Sequence, residues 1–281
     1  MSLAMASFIA NDALVKYVSA SLPAGQLIFV RGLFSTLLLL LVARHMGLLR
    51  PAREPRAGAL SHLLQRKVVL RSALDALGTM AYLSSLFHLP LANATAISMA
   101  TPLYITLFAA LAWRERVGPA RWLAVGTGFA GVLLVVQPAA AGFNSWALLC
   151  LLATWIHTGR DLVTRAIPQS VPSILITVTS AAAVTLLSVP LGLLQGWQPV
   201  SLQQLALLAA ASVFLSSAYY LIIVGMREGE MSVIAPFRYT GLLFALLIGW
   251  AVWGDVPNAL AWMGITLLVG AGLHMLRGRG R

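Results

Sequence analysis

Asp12, Lys16, Arg31, Asp75, Arg160, Asp161 and Arg238 lie inside stretches of sequence that are otherwise almost wholly apolar. Charge in such a setting is costly, so each is expected to face a polar cavity or a partner of opposite sign. The spacing offers partners. Asp12 and Lys16 are one helical turn apart, as are Asp161 and Arg165, and Arg31 and Asp75 are set to meet across two neighbouring helices. Arg160 and Arg165 also read as ordinary basic residues at a helix end. Arg238 follows Pro236 at a point where the backbone is expected to be irregular, and a guanidinium there suits a two-pronged grip on a carboxylate, or an ion pair with Asp75 or Asp12. Asp12, Lys16, Arg31, Asp75 and Asp161 are therefore candidates for charge pairing or for coupling transport to an ion. Each acid has a basic neighbour that keeps it ionised, which favours uncoupled movement over proton coupling.

Polar and aromatic residues recur at helical spacing around these charges. Asp75, Gly78, Tyr82 and Ser85 share one face; Thr95, Ser98, Thr101 and Pro102 share another; Ser212, Ser216 and Tyr219 a third; Tyr239 adjoins Arg238. With Trp155 as an aromatic wall, Tyr82, Ser98, Thr101, Ser216, Tyr219, Arg238 and Tyr239 form the expected lining for an amphipathic small molecule. Packing is the plainer role for each aromatic. Pro102 and Pro236 occupy comparable places in the two halves of the chain and are the expected hinges, because proline removes a backbone hydrogen bond and bends its helix. His157 reads as a packing residue before a proton relay.

The elements that must position these groups are membrane helices. The hydrophobic fraction is 59%, charged residues make up 10%, and the mean hydropathy is +0.87, far from the composition of a soluble domain. Ten apolar stretches run over 3–21, 25–47, 68–89, 92–113, 119–137, 144–165, 171–195, 203–226, 230–253 and 257–276. Each approaches the ~20 residues that cross a bilayer. Lys and Arg gather in alternate connections. Arg44, Arg50, Arg53, Arg56, Arg66 and Lys67 follow the second stretch; Arg114 and Arg116 follow the fourth; Arg165 and Arg227 end the sixth and eighth; Arg277, Arg279 and Arg281 end the chain. The other connections hold neither residue. Basic loops stay in the cytoplasm, so the expectation is a multi-pass inner-membrane protein with both termini cytoplasmic, a retained first helix, and residues 277–281 as a basic tail. The net charge of +11 then points to anionic lipid and away from nucleic acid.

The chain also repeats itself. Asp12-Ala-Leu-Val-Lys16 recurs as Asp161-Leu-Val-Thr-Arg165, and Trp113-Arg-Glu115 followed by Trp122 recurs as Trp253-Gly-Asp255 followed by Trp262. Tyr82 has a counterpart in Tyr219 or Tyr220. The expected units are residues 1–138 and 144–276, five helices each. An odd number inverts the second copy, and equivalent connections differ in charge as inversion demands: 114–121 holds three Arg and 254–261 none. Inverted repeats enclosing a mid-membrane site are the mark of secondary transporters.

The stretch Leu89-Pro-Leu-Ala-Asn-Ala-Thr-Ala-Ile-Ser-Met-Ala-Thr-Pro102 through Trp113-Arg-Glu115-Arg, the segment Ala235-Pro-Phe-Arg-Tyr-Thr240 through Trp253-Gly-Asp255, and Asn11-Asp12-Ala-Leu-Val-Lys16 resemble the drug/metabolite transporter superfamily, of the EamA-like type. The resemblance covers the whole chain. It implies an all-α membrane bundle of ten helices, the fifth and tenth to the side and the others around a central cavity. It further implies a carrier that exports amino acids or, as a second reading, takes up S-adenosylmethionine or another metabolite. Thr101 stands where aromatic amino-acid exporters of the group carry Trp.

Other classes fare worse. A lipid-modifying enzyme needs a metal cluster or an activated nucleophile, and the sequence has no His-x-x-x-His, no Gly-x-Ser-x-Gly and one cysteine, Cys150. No phosphate-binding Gly-x-x-x-x-Gly-Lys-Ser/Thr is present, so no ATP drives the chain by itself. A multidrug-binding or scaffold protein remains as the rival class. No cofactor and no metal are expected. Gly126, Gly128, Gly131, Gly264, Gly270 and Gly272 suit close helix packing within a monomer, with a homodimer second.

Overall fold

The computed structural model describes residues 1–48, 64–112, 118–137, 144–168, 170–228 and 235–277. The expected Trp113-Arg-Glu115 turn and most of the basic linker after the second helix lie outside them. Every regular element is helical: α1 (Ser2–Ser19), α2 (Ala24–His45), α3 (Arg66–Leu86), α4 (Leu91–Ser98), α5 (Thr101–Ala112), α6 (Pro119–Val136), α7 (Trp146–Arg165), α8 (Ser173–Gln195), α9 (Leu202–Glu228), a 3-10 turn (Ala235–Tyr239), α10 (Thr240–Trp253) and α11 (Ala259–Arg277). Ten spans are thus accounted for, two of them interrupted.

Among the described residues, Ala24–His45, Leu91–Phe108, Ser173–Gln195 and Leu202–Leu221 are long and apolar enough to cross a membrane, and Trp122–Val136, Phe237–Trp253 and Ala259–His274 are shorter apolar helices. The charge-bearing α1, α3 and α7 stand apart from these for a physical reason. Their Asp12, Lys16, Arg71, Asp75, Arg160 and Asp161 are polar groups turned towards protein rather than lipid, and satisfied there.

The fourth span is not one helix, contrary to the expected 92–113 stretch. It breaks at Met99–Ala100, between α4 and α5. Pro102 has no N–H to give the Ser98 carbonyl, and the Thr101 hydroxyl caps that carbonyl at 2.8 Å instead. The ninth span begins as the 3-10 turn holding Pro236, and the Thr240 hydroxyl serves the Phe237 carbonyl at 2.6 Å.

Packing follows small residues, as expected where lipid leaves no hydrophobic force between helices. Gly25 of α2 lies against the backbone of Gly192 in α8, and Gly32 against Thr185. A Cβ on Gly131 of α6 would stand 2.6 Å from the Gly264 carbonyl of α11. Gly128 accommodates Leu103 and Gly272 accommodates Tyr239, whereas Gly126 and Gly270 have open space, so those two are not packing residues as expected. The main helix pairs are α2 with α8, α3 with α7 and α8, α1 with α9 and α10, α9 with α2, α4 with α10, and α6 with α11. One buried cluster runs through the centre, including Val15, Ile28, Leu83, Ile97 and Leu208.

At one end of the bundle the connections lacking Lys and Arg come together. The Gln195 side chain accepts from the Gly25 N–H at 2.8 Å, the Gln26 amide exchanges two bonds with the Gln198 backbone, and Gln204 donates to Ser21. Gln137 and Asn258 pair amide to amide, and His88 stacks on Trp146 with ring centres 3.9 Å apart. The C-terminus of α8 therefore meets the N-terminus of α2, and the C-terminus of α6 meets the N-terminus of α11. At the other end Lys67 donates to the Ala166 carbonyl.

Candidate functional site

Two polar clusters sit within the bundle. The first joins α3, α7 and α8. Asp75, 2% exposed, accepts from Arg160 Nη1 at 2.7 Å and from Arg71 Nη1 at 3.5 Å. Arg160 also holds Asp161 through Nη2 at 2.7 Å and Nε at 2.9 Å. Arg71 donates to the Ser180 hydroxyl and, at 3.3 Å, to Thr164 Oγ1. Two arginines and two aspartates neutralise one another with nearly all donors engaged, which is what a buried ionic group requires. His157 lies beside this cluster, its imidazole against Gly78 and its ring 6.3 Å from that of Tyr82. Its Nε2 has no hydrogen-bond partner among the described residues.

The second cluster joins α1, α2, α3 and α9. The Tyr82 hydroxyl donates to Asp12 Oδ2 at 2.9 Å, Asn11 Nδ2 donates to Asp12 Oδ1 at 2.9 Å, and Arg31 Nη1 approaches Asn11 Oδ1 at 3.4 Å. Ser212 of α9 donates to the Arg31 carbonyl at 2.9 Å.

These geometries revise two expected pairings. Asp12 does not pair with Lys16. The ammonium donates instead to the Leu86 and Leu89 carbonyls and lies 5.4 Å from the centre of the Trp253 ring, because Lys16 points beyond the end of α3, where free helix-terminal carbonyls attract a cation. Arg31 does not pair with Asp75, which is already occupied by Arg71 and Arg160. Asp161 pairs with its neighbour Arg160; the side chain of Arg165, its expected partner, lies outside the described residues. Arg160, read from sequence as a helix-end residue, reaches across to another helix. Arg71, Asn11, Thr164 and Ser180 were not singled out as site residues. Arg71 had a signal, since it precedes Asp75 by the same i, i+4 spacing that drew attention to Asp12 and Lys16.

The expected lining residues disperse. Tyr82 is half-buried against the core and Tyr219, also half-buried, lies edge-on to Phe8 at 5.2 Å. The Ser98 and Thr101 hydroxyls are spent on backbone carbonyls at the α4–α5 break. The Ser216 hydroxyl has no hydrogen-bond partner among the described residues. Trp155, 39% exposed, packs on Tyr104 and Phe108 with ring centres 5.1 and 5.0 Å away. Tyr239 lies over Gly272 of α11, to the side of both clusters. Arg238 is half-buried on the 3-10 turn with no ion-pair partner among the described residues. The side chains of Pro102 and Pro236, the expected hinges, lie outside the described residues.

Two cavities open at the end whose connections lack Lys and Arg. One, of about 450 Å³, is bounded by Lys16, Leu22, Phe87, His88, Gln195 and Trp253. The other, of about 480 Å³, lies among Asn93, Ile97, Val136, Gln137, Asn144 and Asn258. Among the described residues no group of three or more His, Cys, Asp or Glu is placed to hold a metal ion.

Ionic and polar clusters shared between helices suit a carrier. The sequence pattern of the EamA-like transporter family matches residues 1–137 and again 144–276. The chain belongs to the EamA-like transporter family. It is 28% identical over 276 residues to the pseudopaline exporter of Pseudomonas aeruginosa, covering 98% of this chain and 94% of that one. It is 31% identical over 207 residues to the riboflavin transporter of Rhizobium johnstonii (74% and 68%) and 24% identical over 276 residues to the S-adenosylmethionine uptake transporter of Rickettsia bellii (98% and 91%). A solved crystal structure shares the fold, with a TM-score of 0.60 at 19% identity over 99% of this chain and 98% of that one. This EamA-like protein is a multi-pass inner-membrane transporter of small metabolites, not an enzyme.

Proposed function

We propose that the chain is an alternating-access carrier for amino acids or closely related small metabolites, working as an exporter with both termini in the cytoplasm. The observation that carries the reading is the ionic cluster of Asp75, Arg71, Arg160 and Asp161, which ties α3 of the first half to α7 of the second. Such a tie across the seam of two halves is a latch that forms on one side of the membrane and opens when the halves rock. The helix pairing supports an inverted repeat of 1–138 and 144–276. Exchanging each span for its equivalent five spans later turns the α3–α7 contact into α9–α1, turns α3–α8 into α9–α2, and leaves α2–α8 and α6–α11 unchanged. The antiparallel meetings of α8 with α2 and of α6 with α11 support it too. Breaks beside Pro102 and Pro236, in equivalent spans, supply the bending points.

Proteoliposomes loaded with labelled amino acids, and separately with S-adenosylmethionine, test the reading with and without a pH gradient. Saturable, gradient-independent amino-acid flux supports an uncoupled exporter. Flux of S-adenosylmethionine alone would favour the second reading, uptake of that metabolite, which the similarity to the Rickettsia uptake transporter supports.

A further inference from the structure

Within the second cluster, opposite charges stand near one another yet are not joined. Arg31 is 4% exposed and has no carboxylate within 4.0 Å among the described residues. Asp12 likewise has no cation at that range; it accepts only from Tyr82 and Asn11. Between them lies the Asn11 carboxamide, 1% exposed, its oxygen towards Arg31 and its N–H towards Asp12. A buried guanidinium and a buried carboxylate in a membrane protein gain most by direct contact. Holding them apart with a neutral amide leaves both under-used.

The polar groups around Arg31 are under-used as well. Arg31 Nε, Ser35 Oγ and Ser216 Oγ are buried without hydrogen-bond partners among the described residues. Their arrangement follows from helix direction. α2 and α9 both start at the end whose connections lack Lys and Arg, and Ser212 reaches the Arg31 carbonyl. One turn further along each helix come Ser35 and Ser216. A guanidinium edge and two hydroxyls are thus unspent donors on successive turns of the paired helices α2 and α9. Unsatisfied buried donors of this kind call for a ligand or water, and donors so grouped fit a carboxylate. On the α1 side, the two Asp12 oxygens and Asn11 Oδ1 are acceptors that fit an ammonium group.

From this we infer that Asp12 and Arg31 form a receptor for a zwitterionic α-amino-acid head group, with the Asn11 carboxamide as its stand-in while the site is empty. The substrate carboxylate takes Arg31 with Ser35 and Ser216, its ammonium takes Asp12, and Asn11 gives way. The inference rests on the carrier reading above and narrows its substrate class to molecules bearing both groups on one carbon. A neutral solute leaves both charges unmatched.

Proteoliposomes are assayed with the twenty labelled L-amino acids and with riboflavin, and the fastest amino acid is then compared with its own N-acetyl and methyl-ester forms. Wild-type protein should move the free amino acid at least about tenfold faster than either blocked form, because a site built for a charged group rejects an analogue lacking it. Asp12→Asn should lose the preference over the N-acetyl form, and Arg31→Gln the preference over the ester. Size-exclusion profiles establish which variants are folded, and the wild-type comparison stands without them. Blocked forms moving as fast as the free amino acid would overturn the head-group receptor while leaving the carrier reading intact, as would loss of ester discrimination in Arg238→Gln but not Arg31→Gln. Riboflavin flux with no amino-acid flux would overturn the inference and the amino-acid reading but keep a metabolite carrier. Flux of none of these probes would overturn both.

Discussion

Asp75 holds two guanidinium groups at once, Arg160 at 2.7 Å and Arg71 at 3.5 Å, in surroundings that leave it 2% exposed. Removing its charge leaves Arg160 with Asp161 but strands the buried Arg71, and losing one partner of a buried ion pair costs about 3–5 kcal/mol. Asp75→Asn should therefore lower the thermal midpoint of the detergent-solubilised protein markedly, and adding Arg71→Met should recover part of the loss. A midpoint unchanged by Asp75→Asn would show that the cluster contributes little to folding. Arg238 makes no such pair among the described residues, so Arg238→Ala should leave the midpoint near wild type. If Arg238 touches the solute, flux in liposomes falls all the same; unchanged flux would remove it from the site.

The interrupted fourth span shows how single residues set the behaviour of an element. Pro102 cannot serve the Ser98 carbonyl, Thr101 serves it instead, and the helix restarts after Met99–Ala100. Pro102→Ala restores an N–H and favours one continuous helix. Its cost falls on motion rather than on stability, so turnover should drop while the thermal midpoint holds or rises. Equal turnover would argue that the break is not a bending point. The α6–α11 pair makes the opposite case. Gly131 and Gly264 face each other's carbonyls, with room for neither Cβ. Gly131→Leu pushes two backbones apart and should destabilise by about 1–3 kcal/mol, the usual range for overpacking, again read from the thermal midpoint.

At the scale of the whole molecule the amide ties at one end and the arginine-rich connections at the other give the bundle a polarity across the membrane. With Cys150 replaced by Ser, single cysteines at Glu115 and Asp255 should react with impermeant thiol reagents from opposite sides. Labelling from one side alone would end the inverted-repeat proposal. Cysteines at Asn144 and Gln204 should label together from outside, since both lie at the end gathered around Gln26 and Gln137.

The apolar run lengths and the placement of Lys and Arg were enough to state the all-helical bundle and the ten spans, because burial in lipid acts on local composition and leaves a local record. The small-residue contacts were half legible: Gly131 and Gly264 touch, Gly126 and Gly270 do not, and the spacing is alike in both. Partner choice was not legible at all. Asp12 with Lys16 and Arg31 with Asp75 are sensible by type and spacing, yet Asp75 belongs to Arg160, 85 residues away in the chain. Which guanidinium reaches which carboxylate depends on how α3, α7 and α8 cross, and those crossings are sums of many weak side-chain contacts. The amide that separates Asp12 from Arg31 is likewise a product of where α1 comes to rest against α2 and α9. Sequence supplied the charges, and tertiary packing decided which of them are neutralised and which are left open to a substrate.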